Sequence, residues 1–243
     1  MRKEHRIPPQ RQAVNVVRHF IQTSRLTMQF WKKIDNKLER EKLFDAFPAF
    51  LRQDVEKVIE ILPLNDHNVL LVDGQIHKVD DLIHPNEQIV TLDNEQIKIP
   101  YRLYFNEPSY DKEKLLTDLQ QTILNCIYLR HHNGFIRQRR LEKLIDKTEY
   151  FVVPFVFQLL GEYVLEILVV LDRHINKQTI DDYMKFINEN KKYWQQTESR
   201  MISYWNEYYR RPKFIKLNDY IGKQIVDRLK KRTHNIGIAA SGA

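Results

Sequence analysis

The most apolar stretch of the chain, residues 150–171, limits what the sequence can fold into, because such a run must either cross a membrane or be buried in a protein core. Glu162 and Glu166 lie near its middle, and an acidic side chain at the centre of a membrane span costs roughly 2.5–3.5 kcal/mol. Gly161 divides the run into two pieces. The sequence therefore predicts two antiparallel buried helices, 150–160 and 163–175, and no transmembrane segment.

Outside this run, the spacing of apolar residues changes along the chain. Helical spacing precedes Pro63, and Pro48 is typical of a first helical turn. After Pro63, apolar and polar residues alternate, which is typical of β-strands. Turns are predicted at Asp73-Gly74 and at Asp93-Asn94, and the second turn joins two strands as a hairpin. The helical spacing returns at residue 111. We predict a mainly α-helical protein in four segments: a helical N-terminal segment (1–66), a small β-hairpin insert (67–110), a helical stack ending in a basic capping helix (111–232) and a disordered tail (233–243).

Two stretches of the C-terminal half are similar to each other. Residues 133–145 (NGFIRQRRLEKLI) and 161–171 (GEYVLEILVVL) each place an aromatic residue just after a glycine turn, and Phe135 and Tyr163 are 28 positions apart. A period of this size predicts stacked helix–turn–helix units. The stretch NGFIRQRRLEKL resembles the turn and second helix of short HEAT-like repeats, with Ile136-Arg137 as their apolar–arginine pair. The resemblance covers about residues 112–209 and implies a HEAT-like helical stack.

The sequence contains no motif that carries catalysis. Glycine loops for phosphate, paired cysteines and the common hydrolase motifs are missing. His67, His77 and His84 lack the spacing of metal ligands. Cys126 is the single cysteine, which excludes an intramolecular disulfide, and we interpret it as a buried helical residue. The sequence favours a protein without enzymatic activity but does not decide this, and it predicts no cofactor or metal. A cytoplasmic location is predicted because a single cysteine fits a reducing compartment and the charged residues 1–10 do not resemble a signal peptide.

Glu162 and Glu166 allow two interpretations. Four positions apart on one helix face, they can act as a general acid–base pair. If the predicted units stack, they can instead pair with Arg137, Arg139 or Arg140 of the preceding helix. The sequence favours structural pairing, with Arg137 or Arg140 within salt-bridge range of one of these glutamates, and leaves the catalytic interpretation open.

Basic residues concentrate at both ends of the chain. Residues 1–40 hold ten Lys/Arg against three Asp/Glu, and residues 210–232 hold nine against two, so the formal net charge of +7 hides an acidic middle. Such asymmetry is typical of proteins that contact nucleic acid or an anionic membrane. It also fits basic ends that neutralise the acidic middle or form solvated faces.

Residues 193–211 interleave aromatic side chains with arginines, a composition that can stack on bases or form a protein interface. The same spacing fits a helix packing stripe. With the basic helix that follows, this stretch supplies the candidate binding residues Trp194, Arg200, Trp205, Tyr208, Arg210, Arg211, Arg228, Lys230 and Lys231. We predict a scaffold or binding protein with a protein partner. The alternative is a nucleic-acid-binding protein, including a HEAT-like enzyme acting on DNA, and the oligomeric state is not predicted.

Overall fold

The structure is a computed structural model that describes residues 36–211 and 213–241, with side chains described as far as residue 232. Within these residues the protein is mainly helical and has two antiparallel sheets of two strands each. The prediction of a mainly helical chain with a small β-insert is confirmed. Most of the predicted basic N-terminal segment lies outside the described residues.

Ten helices and several short turns make up the helical part of the described chain. Helix α1 occupies residues 36–45, and α2 (Arg52–Ile61) follows a 3-10 turn at Ala49–Leu51. After the sheets come α3 (Tyr110–Glu113), α4 (Asp118–Tyr128), α5 (Gly134–Glu142), α6 (Val153–Phe157), α7 (Leu165–His174), α8 (Ile180–Glu189), α9 (Lys191–Tyr204) and α10 (Ile221–Ser241). Further 3-10 turns lie at Tyr150–Val152, Gln158–Gly161 and Leu217–Asp219, and a π-helical turn at Trp205–Tyr209.

Local sequence explains where the two central helices begin. The Thr117 hydroxyl accepts a hydrogen bond from the Gln120 amide, and the Gln120 side chain accepts one from the Thr117 amide, which is a capping box at the start of α4. The side chain of Asn133 accepts from the Phe135 amide and caps α5. These caps place the loop 129–133 between two well-defined helices.

Both predicted turns form hairpins. Strands β1 (Asn68–Leu70) and β2 (Ile76–Lys78) pair around a turn in which Gly74 has φ = 83°. Strands β3 (Glu87–Leu92) and β4 (Glu95–Pro100) pair around Asp93 and Asn94, whose φ angles of 52° and 68° suit these residue types. β4 ends at Pro100, which has no amide to donate. The insert therefore contains two hairpins, where the sequence predicted one.

Helices and hairpins share one core. The buried apolar residues form a single cluster that extends from Leu43 to Leu229 and includes Val90 and Ile97 of the second hairpin. Phe47 stacks on Phe155 with ring centroids 4.8 Å apart, which joins the N-terminal helices to α6. The described residues of the three predicted structured segments are thus buried against one another.

The apolar run 150–171 is divided, as predicted, into two helical pieces. The first ends in a 3-10 turn at Gly161, the backbone is extended at Glu162 and Val164, and α7 begins at Leu165. Among the described residues, no helix combines the length and the hydrophobicity that a membrane span requires.

The HEAT-like repeat is not confirmed. Phe135 lies in the first turn of α5, whereas its counterpart Tyr163 lies in the extended segment before α7, so the two similar stretches have different backbone conformations. Helix α10 also continues past residue 232 to Ser241, into the segment predicted to be disordered. Ala239 and Ala240 in that extension have the highest helix propensity of any residue type.

Candidate functional site

The candidate binding residues of the stretch 193–211 do not all lie at the surface. Trp194 and Trp205 are half-buried against the core, and the Trp205 indole Nε1 donates to the Phe214 carbonyl at 3.0 Å. Arg210 and Arg211 are exposed, Arg200 is half-buried, and Tyr208 is 50% exposed. The two tryptophans therefore anchor α9, and the tyrosine and arginines remain available to a ligand.

The candidate residues of α10 mostly pair with the rest of the protein. Arg228 forms an ion pair with Asp172 of α7 at 2.8 Å, and Lys230 with Glu198 of α9 at 2.5 Å. Lys231 is exposed and has no ion pair with the described residues. These contacts pack α10 against α7 and α9 and give Arg228 and Lys230 a structural role.

Tyr208 belongs to a group of tyrosines that come from three elements. Its ring centroid lies 5.4 Å from that of Tyr163 and 6.0 Å from that of Tyr204, and the Tyr163 and Tyr204 rings are 5.8 Å apart. Burial raises the pKa of Tyr204, and the nearby Tyr101 and Tyr208 hydroxyls and Glu162 raise it further, while Arg200 lowers it. We call Tyr101, Tyr163, Tyr204 and Tyr208 the tyrosine patch.

The backbone beneath the tyrosine patch has an unusual shape. Tyr163 lies in the extended segment before α7, and its carbonyl accepts a hydrogen bond from the Tyr209 hydroxyl. Tyr208 lies in the π-helical turn Trp205–Tyr209, where the Arg210 amide donates to the carbonyl of Trp205, five residues back, instead of four as in an α-helix. Such turns are rare and frequent at functional sites.

Behind the patch lies a buried charge cluster. Glu162, 4% exposed, accepts a hydrogen bond from Arg102 Nη1 at 2.9 Å through Oε1 and from Arg137 Nη2 at 2.8 Å through Oε2. Arg130 Nη1 lies 3.8 Å from Oε1. The predicted pairing of Arg137 with Glu162 is confirmed. We call these four residues the Glu162 cluster.

The charges of the Glu162 cluster do not balance. Burial acts to raise the pKa of Glu162, but Arg137, Arg102 and Arg130 outweigh it, so that the pKa lies below its usual value. Burial lowers the pKa of Arg130 to about 10 against the attraction of Glu162, and the neighbouring Arg102 and Arg137 lower it further. All four groups are ionised at neutral pH, and one carboxylate neutralises one of three guanidinium groups.

Two of these arginines also hold the surrounding loops. Arg130 Nη2 donates to the Tyr101 carbonyl at 2.7 Å, and Arg130 Nε to the Pro100 carbonyl at 3.2 Å. Arg137 Nη1 donates to the carbonyls of His131 at 2.7 Å and His132 at 2.9 Å. The Glu162 cluster therefore holds the backbone of Tyr101, one member of the tyrosine patch, and the loop at His131 and His132.

This geometry favours the structural interpretation of Glu162. A carboxylate that is buried, ionised and bound by arginines is a poor general acid near neutral pH. Glu166 is exposed and has no ion pair with the described residues. Glu162 also lies in the extended segment before α7, so it does not share a helix face with Glu166, contrary to the prediction from the sequence.

Sequence reasoning missed Arg102, Arg130 and Tyr101. Arg102 and Glu162 are 60 positions apart and Arg130 and Glu162 are 32 positions apart, and neither arginine belongs to a motif. Arg140, which the sequence offered as an alternative partner for the glutamates, pairs instead with Glu107 and Glu113. A cluster assembled from four separate segments leaves no periodic signal in the chain.

The cysteine and the histidines that the sequence analysis considered for catalysis or metal binding have structural contacts instead. Cys126 is buried, as predicted, and burial raises its thiol pKa well above the usual value, so the reactive thiolate is disfavoured. His67 contacts the Val79 carbonyl through Nδ1 at 2.9 Å. Over residues 36–211 and 213–232, no three His, Cys, Asp or Glu side chains are grouped closely enough to hold a metal ion.

Comparison of the chain with protein-family models, curated proteins and solved structures finds no match. The functional proposal below is therefore based on the geometry of the site itself.

Proposed function

We propose that this protein is a non-catalytic binding or scaffold protein that presents the tyrosine patch to a protein partner. The observation that carries the proposal is a group of partly exposed tyrosines, Tyr163 at 47% and Tyr208 at 50%, close to Tyr101, whose backbone carbonyl is bound by the buried Arg130. Tyrosine and arginine are enriched among the residues that dominate the binding energy of protein interfaces.

The preorganisation of the patch supports this function. Tyr163, Tyr204 and Tyr208 pack against one another, so a partner does not have to order them on binding. The Tyr101 backbone is held by Arg130, and the Tyr163 backbone by Tyr209. Rigid aromatic side chains offer a large contact area at a low cost in conformational entropy.

The surroundings of the basic residues favour a protein partner over nucleic acid. Four of the nine Lys/Arg in residues 210–232 form ion pairs within the described protein: Lys223, Arg228, Lys230 and Arg232. A lysine or arginine that already has a carboxylate partner gains less from a phosphate, because contacts to the phosphate backbone depend on unneutralised charge.

The proposal includes the HEAT-like organisation and the cytoplasmic location predicted from the sequence. Helices α5 and α7, the second helices of the first two predicted units, contact each other, as neighbouring units of a helical stack do. Helical stacks commonly present extended binding surfaces. A single cysteine that is buried suits a reducing compartment.

The test is affinity capture from the native cell with and without nuclease treatment, using wild type, the double variant Tyr204→Ala/Tyr208→Ala and the control Tyr110→Ala. Tyr110 is 71% exposed and lies outside the patch, in α3. We expect wild type and control to retain the same protein, and the double variant to retain at least tenfold less of it with an unchanged Tm, since interface tyrosines are frequent hot spots. Equal capture by all three proteins, or capture that nuclease abolishes, overturns the proposal.

A further inference from the structure

Three guanidinium groups around one carboxylate leave the Glu162 cluster with two excess positive charges. A fourth arginine, Arg200, lies close by: a side chain at Gly161 would meet Arg200 Cδ at 3.2 Å. Buried or half-buried arginines are normally paired with anions. The excess charge therefore requires an explanation that the contacts within the described chain do not supply.

The arginines of this region differ in the donors they have left. Arg130 and Arg137 each donate hydrogen bonds to at least two backbone carbonyls, and both side chains are almost fully buried. Arg102, whose side chain is 19% exposed, uses only Nη1, for Glu162, among the described residues. Arg200 is half-buried and forms no hydrogen bond or ion pair with any described residue. Arg137 Nε also has no partner in the described part of the chain but is buried, so Arg102 and Arg200 are the partly exposed arginines of this region that have free donors.

Both arginines lie against the segment Gly161–Glu162, although they come from different elements of the fold. Arg102 follows β4 and binds Glu162, whereas Arg200 comes from α9 and lies against Gly161, the adjacent residue. Two members of the tyrosine patch lie beside this position, since the Arg102 guanidinium lies 5.6 Å from the Tyr101 ring centroid and Tyr163 follows Glu162 directly. Gly161 permits the close approach, because any side chain there would crowd Arg200.

We infer that Arg102 and Arg200 form a binding site for a carboxylate on an acidic segment of the partner protein. The tyrosine patch covers this carboxylate when the partner binds. This inference rests on the proposed function and specifies the chemistry of the partner. The planar fork of a guanidinium matches a carboxylate in two-point geometry, and such charge-assisted hydrogen bonds are about twice as strong as neutral ones. Aromatic walls exclude water from the contact and so strengthen it.

An anionic ligand explains both the excess charge and its location. The two partly exposed arginines, Arg102 and Arg200, are the ones that a partner can reach, whereas the fully buried Arg130 and Arg137 share Glu162 and donate to backbone carbonyls. A protein segment that carries Glu or Asp satisfies the arginines and contacts the rings together. The two arginines thus select a partner segment that carries negative charge, and the tyrosines supply contact area.

The test uses the full chain and a blocked decapeptide of alternating Glu and Gly, with the Gln/Gly decapeptide and a ten-nucleotide dT strand as comparison probes, all measured by isothermal titration calorimetry. Arg200→Gln is the principal variant because it breaks no ion pair with the described residues. Arg102→Gln is the second variant, and Arg173→Gln, an exposed arginine of α7, is the matched control.

We expect the Glu/Gly peptide to bind wild type and Arg173→Gln equally, and to bind Arg200→Gln about tenfold or more weakly, since a hydrogen bond to a charged group is lost. The Gln/Gly peptide should not bind. Tighter binding of the dT strand than of the Glu/Gly peptide, equal affinity of Arg200→Gln and wild type, or no binding of the Glu/Gly peptide overturns the inference. If the peptide test fails but capture of the partner still depends on Tyr204 and Tyr208, the proposed function stands and only the carboxylate site is refuted. If the peptide binds as expected but no partner is captured through these tyrosines, only the proposed function is refuted.

Discussion

Two buried charge clusters flank helix α5, and they are neutralised in opposite ways. Arg137 binds one glutamate that it shares with Arg102 and Arg130. One turn later, Arg140 binds two glutamates, with Nη2 2.5 Å from Glu113 and 2.6 Å from Glu107, and its guanidinium lies 5.0 Å from the Tyr128 ring centroid. The first cluster has three guanidinium groups for one carboxylate, whereas in the second the buried Arg140 has two carboxylates, which also pair with the exposed Arg139 and Lys143.

The difference shows which cluster serves only the fold. Arg140 also donates to Asn125 at 3.1 Å, so its donors are used within the protein. The Glu162 cluster lies behind the partly exposed tyrosine patch and keeps free donors on Arg102. A buried arginine whose donors are satisfied positions a helix, whereas unsatisfied donors at a surface are available to a ligand.

The largest expected effect comes from removing the single anion of the first cluster. Glu162→Gln should lower the free energy of unfolding by about 3–5 kcal/mol, because three arginines lose their common counter-ion in a buried site. Chemical denaturation with urea measures the change. Glu166→Gln, four positions along and exposed, is the control and should stay within about 0.5 kcal/mol of wild type. Equal stability of the two variants would contradict the proposed role of the Glu162 cluster.

His131, which lies between the clusters, is expected to make the protein sensitive to acid. Its Nδ1 accepts from the Asn133 amide at 3.1 Å, and its Nε2 lies 3.1 Å from the Phe105 carbonyl, an arrangement that requires a neutral ring. Burial, aided by the nearby His132, lowers its pKa from 6.5 to about 3. Between these values the unfolded state binds the additional proton, so stability is full above pH 6.5 and falls as the pH is lowered toward 3.

The expected loss from His131 is about 3 kcal/mol at pH 4, and urea unfolding at several pH values measures it. His174, whose pKa burial lowers to about 4, adds a second loss over a similar range. Because His174 and His132, whose pKa burial also lowers, add to the loss, His131→Gln should reduce the pH dependence without abolishing it, and the exposed control His77→Gln should keep all of it. An NMR titration that gives His131 a pKa near 6.5 would refute this explanation.

The smallest expected effect comes from the second cluster. Arg140→Gln should lower the free energy of unfolding by about 1.5–3 kcal/mol, the range for hydrogen bonds to charged groups. The loss is smaller than for Glu162 because Glu107 and Glu113 are 21% and 17% exposed, so water can hydrate them. Arg139→Gln, at an exposed ion pair to Glu107, should cost at most about 1 kcal/mol and serves as the control. A larger loss for Arg140 than for Glu162 would reverse the comparison.

Local sequence patterns predicted the elements well. The turns at Asp73-Gly74 and Asp93-Asn94, the break at Gly161 and the burial of Cys126 all depend on residues close together in the chain. The pairing of Arg137 with Glu162 was also predicted, because the similarity of two stretches placed their helices side by side. That similarity nevertheless did not predict the backbone at Tyr163, where the chain is extended.

The sequence by itself determined the alternation of helices and hairpins, since periodicity, caps and turn residues act over a few positions. Tertiary structure alone decided which charges meet. Arg102 and Arg130 reach Glu162 from distant segments, and Trp205 is half-buried while Tyr208 is exposed, although both lie in one aromatic stretch. The physical reason is that an ion pair or an exposed face depends on the distance between packed elements, and spacing along the chain does not fix that distance.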